Sequence, residues 1–221
     1  MKPSKLPSPD VYVIDDTTLV IDCFGITELT HKHKQRLINY VAGMCYALDD
    51  VIDAVSADES LTLYTRQECD VAQLQQCALA QWHAFEDDDL NTQHHVIPVE
   101  YGGSVGLDLE TVAEQCNMST AQVIEAHCSV TYDVDFLGFQ PGFAYMSGVI
   151  KSIQLPRLAQ PRTQVPKGSV AIAADKTAVY PANSPGGWHI IGSTHVRLFD
   201  INRTPASLLR PGDTVRFVEA K

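Results

Sequence analysis

The first part of the chain alternates between a two-residue and a three-to-four-residue hydrophobic period. Val11-Tyr12-Val13-Ile14, the pair Asp15-Asp16 and Thr17 to Asp22 read as a hairpin with an acidic turn. From about Thr30, whose hydroxyl caps a first turn, Leu37, Val41, Met44 and Leu48 fall on one helix face. Two β-branched stretches, Val51 to Ser56 and Ser60 to Tyr64, flank a turn at Ala57-Asp58-Glu59, and a second helix from about Asp70 to Phe85 turns Val71, Leu74, Ala78 and Trp82 inward. The order β-β-α-β-β-α predicts an α+β domain of ferredoxin-like tendency, with its helices on one side of a sheet.

Beyond residue 90 the pattern breaks into shorter pieces. Val96 to Tyr101 reads as a strand ending in Gly102-Gly103. Two short helices follow: Asp108 to Cys116 presents Leu109, Val112, Ala113 and Cys116, and the next, capped by Ser119, presents Val123, Ile124 and His127. Ser169 to Ala173, His189 to Ile191, Val196 to Phe199 and Thr214 to Val218 read as short strands, and strands at such spacing imply a mainly-β barrel or sandwich. Turn formers divide the chain in the same way. No proline lies between Pro9 and Pro98 while nine follow from Pro98 onward, and eleven of the thirteen glycines come after residue 100. The acidic run Glu86-Asp87-Asp88-Asp89 marks the seam, which predicts an N-terminal domain over 1–90 and a C-terminal one over 91–221.

Charge narrows the function. Sixteen Lys and Arg against twenty-seven Asp and Glu leave a formal net charge of −11, which speaks against nucleic acid or an anionic membrane as partner. The helix pair over residues 108–127 carries Asp108, Glu110, Glu114 and Glu125 without a Lys or Arg, so it is not a DNA-reading unit. The longest apolar stretch, Val41 to Leu48, is too short to cross a bilayer, and the start has no apolar core of a secretory signal; both predict a cytoplasmic protein. Six cysteines without a Cys-x-x-Cys pair read as buried free thiols, with no structural metal expected. His94-His95 point to opposite faces of a strand, and His31 and His33, beside Lys32 and Lys34, read as solvated loop residues. No phosphate-binding Gly-x-x-x-x-Gly-Lys-Ser/Thr loop and no Gly-x-Gly-x-x-Gly after a strand is present.

Two segments concentrate aromatic, glycine and proline residues. The first is Gly138-Phe139-Gln140-Pro141-Gly142-Phe143-Ala144-Tyr145, preceded by Tyr132 and Phe136; the second is Tyr180-Pro181-Ala182-Asn183-Ser184-Pro185-Gly186-Gly187-Trp188-His189. In the second, Pro185 fixes one dihedral while Gly186-Gly187 permit positive φ and expose backbone N–H groups. Together they predict a ligand-lining rim made by Tyr132, Phe139, Pro141, Gly142, Phe143, Tyr145, Tyr180, Ser184, Pro185, Gly186, Gly187 and Trp188.

These two segments, with Pro161-Arg162-Thr163-Gln164-Val165-Pro166-Lys167-Gly168-Ser169-Val170 between them and Ser184 to Gly192 at the end, strongly resemble the bacterial KipI/PxpB family. Val99 to Gly103, Gly106 to Leu109 and Leu209 to Phe217 support it, so the resemblance covers residues 96–217. It implies a cyclophilin-like β-barrel after the α+β domain. It also implies the B subunit of an ATP-dependent 5-oxoprolinase, working with the A and C subunits to open 5-oxo-L-proline to L-glutamate, with Mg as the counter-ion of ATP. Because a five-membered amide is a poor electrophile, phosphorylation of the lactam oxygen would activate it, and the site must then stabilise negative charge. On this reading backbone N–H groups from Ser184 to Trp188 serve as donors, Lys176 meets a phosphate or the substrate carboxylate, and His127 carries or orients a proton. ATP sits at an unconventional site or mainly on a partner protein of the complex. Family members also include the carboxyltransferase portion of urea carboxylases and an inhibitor of a sporulation histidine kinase, so the alternative is a non-enzymatic regulator binding a sensor kinase. Ala174-Asp175-Lys176-Thr177-Ala178-Val179-Tyr180 stands where relatives commonly read Gly-x-Gln-Thr-Gly-Ile-Tyr, and Ile191-Gly192-Ser193-Thr194-His195 where Ile-Gly-Arg-Thr-Pro is usual.

Overall fold

The structure, a computed structural model, describes residues 6–86 and 92–220; most of the acidic seam, 87–91, lies outside the described residues. The chain divides into two compact units, Met1–Asn91 and Thr92–Lys221.

The first unit contains β1 (Asp10–Asp15), β2 (Thr18–Asp22), α1 (His31–Tyr46), β3 (Val51–Ala57), β4 (Ser60–Thr65) and α2 (Val71–Ala84). Its four strands form one antiparallel sheet in the order β1-β2-β4-β3. Since β4 pairs antiparallel with both β2 and β3, those two run the same way on either side of it, and α1 joins them as a split β-α-β unit. A ferredoxin-like element order would fill the place beside β2 with a strand after the second helix; here β1 fills it from the front of the chain.

Leu19, Ile21, Leu61 and Leu63 point from the sheet into a core closed by Leu37, Ile38, Val41 and Cys45 of α1 and Leu74, Ala78 and Trp82 of α2. The buried stripe of α1 differs from the expected one. The helix ends at Tyr46, Met44 is exposed and Leu48 lies past its end, while Lys34 and Gln35 are buried. Those polar residues are covered because the β3–β4 turn satisfies them: Lys34 Nζ meets Glu59 Oε2 at 2.9 Å, and Gln35 donates to the Ala57 carbonyl at 2.9 Å. His31 and His33 accordingly open α1 rather than lie in a loop. Val71, expected inside, is partly buried.

The second unit begins with β5 (His94–Tyr101), α3 (Leu109–Gln115) and α4 (Thr120–Cys128). Then come β6 (Tyr132–Leu137), β7 (Ala144–Ser147), β8 (Arg162–Val165), β9 (Ser169–Ala173), β10 (Lys176–Val179), β11 (Ser184–Gly186), β12 (His189–Ser193) and β13 (Thr214–Glu219). Seven strands close a mixed barrel in the order β10-β7-β6-β13-β5-β12-β9, in which β13 and β5 are parallel, and β11 pairs with β8 in a separate ribbon. Val196 to Phe199, expected as a strand, is not one; Phe199 makes an isolated bridge to Ser207. Ser119 and Gln122 form the capping box that starts α4. Among the described residues no helix is long and apolar enough to cross a membrane.

The glycine turn after β5 packs against β12. A Cβ on Gly106 would run into the Ile191 carbonyl and the Gly102 backbone, so only a glycine lets this turn tuck against β12. The tuck delivers Asp108 to β12. Its N–H donates to the Ile190 carbonyl at 2.8 Å, its Oδ2 accepts from the Ile190 N–H at 2.6 Å, and its Oδ1 accepts from Arg162 Nη2 at 2.5 Å. One nearly buried carboxylate thereby ties the start of α3 to β12 and β8. Asp108→Ala leaves a guanidinium and a buried amide without that acceptor, and should lower unfolding free energy by about 3 kcal/mol in denaturant titrations. An unchanged midpoint would show that this tie is dispensable.

Candidate functional site

The tip between β6 and β7 is closed by short backbone bonds, Gly138 N–H to the Phe143 carbonyl at 3.1 Å and Phe143 N–H to the Gln140 carbonyl at 3.0 Å. Phe139 sits at this tip with φ of 67°, a conformation unfavourable for a residue with a Cβ, and its ring is 60% exposed. Behind it Phe143 is buried, meets the Phe139 ring edge-on at 5.4 Å, and forms a set of four with three further edge-on rings: Tyr145 at 5.0 Å, Tyr180 at 5.2 Å and Trp188 at 5.9 Å between centroids. Such edge-to-face pairs stabilise by about 0.5–1.5 kcal/mol each beyond their burial. The four rings form an aromatic layer distinct from the main barrel core, resting on Val165, Ala171, Ala173, Ala178 and Ile190.

Above this layer lies a cleft of about 100 Å³ lined by Phe139, Phe143, Tyr145, Arg157, Tyr180, Pro185, Gly186, Gly187 and Trp188. The two aromatic segments therefore do meet, and eight of those nine residues are among the expected lining. The ninth, Arg157, stands outside both motifs; its guanidinium carbon lies 5.9 Å from the Trp188 ring centroid. Burial pushes the phenols of Tyr145 and Tyr180 above their ordinary value, with nearby Arg157 pulling back on both and Arg162 on Tyr180, so both are neutral donors near pH 7.

Gly186 and Gly187 do not adopt the positive φ expected of them. Gly186 lies in β11, opposite Arg162 of β8, and is glycine for another reason: a Cβ there would overlap the Tyr180 hydroxyl and come within 3.0 Å of ring carbon Cε1. Ser184 precedes it in β11, opposite Val165, so much of this segment is a paired ribbon rather than a free nest of N–H groups. Its Oγ is buried without a hydrogen-bond partner among the described residues, as is Arg162 Nη1.

Other expected site residues are elsewhere. Pro141 is exposed on the tip, and Gly142, at φ 82°, backs onto Phe199. Tyr132 is in the main barrel core, where its hydroxyl donates to the His127 carbonyl at 2.9 Å. His127 is 0% exposed and stacks on Phe217 at 4.6 Å. Thr177 gives its hydroxyl proton to the Ala171 carbonyl, so it accepts from His127 Nε2–H at 3.0 Å, while Nδ1 accepts from the Tyr101 hydroxyl at 2.7 Å. Both ring nitrogens are thus occupied in a neutral tautomer, and burial lowers the pKa to about 3. His127 is a packing residue, not a proton carrier facing the cleft. Lys176 is likewise engaged in the wall: Nζ lies 2.9 Å from Asp135 Oδ2, and Asp135 accepts from Ser147 as well. It does not line the cleft.

A family model described as the carboxyltransferase domain, subdomain C and D, matches residues 9–209. The chain belongs to that family, and within it to the KipI/PxpB group. It is 40% identical over 216 residues to the Escherichia coli O157:H7 protein named as the B subunit of 5-oxoprolinase, covering 95% of each. The crystal structure of TTHA0988 superposes with a TM-score of 0.78 at 32% identity, over 93% of this chain and 40% of that one, so this chain spans about two fifths of that longer protein. Kluyveromyces lactis urea carboxylase shares the fold, with a TM-score of 0.72 at 17% identity over 99% of this chain and 23% of that one.

Gly186→Ala should displace Tyr180, weaken ligand binding in the cleft and destabilise the second unit by about 1–3 kcal/mol. Adding Tyr180→Phe removes the nearest overlapping atom and should recover part of the stability in thermal melts, whereas strictly additive losses would contradict the overlap. Because His127 titrates lower folded than unfolded, the unfolded chain binds the extra proton first as pH falls. Its contribution is complete above the ordinary value of 6.5 and is lost progressively toward about pH 3. His127→Gln should flatten that part of the stability–pH curve, and an unchanged slope would mean that His127 is not the titrating group.

Proposed function

We propose that this chain is the B subunit of a 5-oxoprolinase and, with the A and C subunits, opens 5-oxo-L-proline to L-glutamate at the expense of ATP. The observation that carries this reading is the cleft itself: two stiff aromatic segments converge on a small open space of about 100 Å³, with a single kind of charge at its edge. A cleft of that volume suits a single small ring rather than a drug-sized ligand. The likeness along nearly the full length of the E. coli protein supports the same assignment. Six free thiols suit the reducing cytoplasm.

Each part of the cleft has a task in that reaction. The aromatic lining, with Phe139 exposed and Phe143 and Trp188 buried, holds a flat five-membered lactam and keeps bulk water from it. The neutral phenols of Tyr145 and Tyr180 donate hydrogen bonds to the lactam carbonyl, which polarises it without bringing in a charge. Preorganised by ring packing, these donors need little rearrangement as negative charge grows on that oxygen. A nucleotide does not fit: the cleft is too small, and the backbone of its second segment is committed to the β8–β11 ribbon rather than open to phosphates. On this reading ATP and its Mg sit outside this cleft, at an unconventional site or mainly on a partner protein of the complex.

The test is partner-dependent glutamate formation from 5-oxo-L-proline and ATP with the purified A and C subunits. Tyr180→Phe should lower kcat by about tenfold or more while the complex still assembles. No glutamate from the reconstituted wild-type complex would defeat the proposal.

A further inference from the structure

The geometry points to Arg157 as the residue that recognises the carboxylate of the cleft's ligand and so sets its specificity for a lactam acid over a neutral amide. This inference rests on the substrate reading above for the ligand's ring, but the anion subsite stands on its own observations.

The segment that carries Arg157 is pinned on both sides. Ala174 N–H donates to the Leu155 carbonyl at 2.7 Å, His189 Nε2–H donates to the Pro156 carbonyl at 2.9 Å, and Leu158 N–H donates to the Gly187 carbonyl at 2.8 Å. Backbone freedom around Arg157 is therefore small, and the Trp188 ring under its guanidinium restricts the side chain further. Yet Arg157 is exposed, and among the described residues no carboxylate pairs with it. It is also the sole charge among the cleft's lining residues, in a chain whose formal net charge is −11. A cation held in place at the mouth of an aromatic cleft, and left unpaired by an acidic protein, has a partner that arrives from solution. Its planar fork matches a carboxylate in two parallel hydrogen bonds.

A second guanidinium, that of Arg162, is also close enough to influence the Tyr180 phenol. Arg162 lies in β8 opposite Gly186, and its Nη2 is neutralised by Asp108 while Nη1 is buried and unpartnered among the described residues. Lys176, the cation first expected to meet the carboxylate, is held by Asp135 instead.

The test compares 5-oxo-L-proline with its neutral isostere 5-oxo-L-prolinamide, reading Trp188 fluorescence in a Trp82→Phe background and saturation-transfer NMR on the wild-type chain. Wild type should prefer the acid by about 10- to 100-fold, the contribution of a charge-assisted hydrogen bond. Added salt should narrow that gap. Arg157→Gln should bind acid and amide alike, and Arg157→Lys should recover part of the preference. Equal binding of the two ligands by wild type, retained preference in Arg157→Gln, or no binding of the acid would each overturn the inference. Inorganic phosphate displacing the acid at equal concentration would also overturn it, by making the subsite one for phosphoryl groups. If acid preference depends on Arg157 but the reconstituted complex releases no glutamate, the activity proposal falls and the subsite stands. If glutamate forms and Arg157→Gln leaves KM unchanged, the subsite falls alone.

Discussion

Tyr180 meets Gly186 with no side chain between them, and the cleft exists because of that approach. The Tyr180 ring lies edge-on to Phe143 of the β6–β7 tip while its hydroxyl sits over the β11 backbone, so one residue touches both walls. Its own backbone is fixed by the barrel: Gly168 N–H donates to its carbonyl at 2.7 Å, and its N–H donates to the Ser169 carbonyl at 2.9 Å. Convergence of the two segments is thus set by strand pairing and packing rather than by loop mobility. Any Cβ at position 186 would have to move the buried Tyr180 ring.

The barrel separates packing from binding. Around the main core, residue types often associated with chemistry serve structure: His127 with both nitrogens occupied, Tyr132 bonded to a helix-end carbonyl, Lys176 tied to Asp135. Each of these polar groups is satisfied, as burial requires. The aromatic layer has the opposite character. Its rings are apolar toward the barrel, and its polar groups, Arg157 and the two phenols, line the cleft. A ligand that presents a flat face and an anionic end matches that division.

Much of this could be read from the sequence, and the rest was hidden for identifiable reasons. Proline and glycine usage divided the chain because long elements exclude turn formers, and Ser119 with Gln122 announced the start of α4 through its own capping chemistry. The aromatic segments stood out because so many rings and glycines in so short a stretch have few structural uses. What failed depended on distant partners. Lys34 and Gln35 break the apolar pattern of α1, and only the β3–β4 turn some twenty-five residues away explains their burial. Ser184-Pro185-Gly186 has no strand propensity and becomes β11 because β8 offers it a ladder. Arg157, in a Pro-Arg-Leu stretch outside both aromatic motifs, looks like loop, and nothing in its local sequence ties it to the cleft.

On the proposed reading the two aromatic segments act as one binding site. Backbone and indole NMR resonances followed during titration with 5-oxo-L-proline test this directly. Residues 139–145 and 184–188, including the Trp188 indole N–H, should shift together along one saturation curve, while Trp82 and the His127 ring stay still. Shifts confined to one segment, or centred on His127 and Lys176, would contradict it.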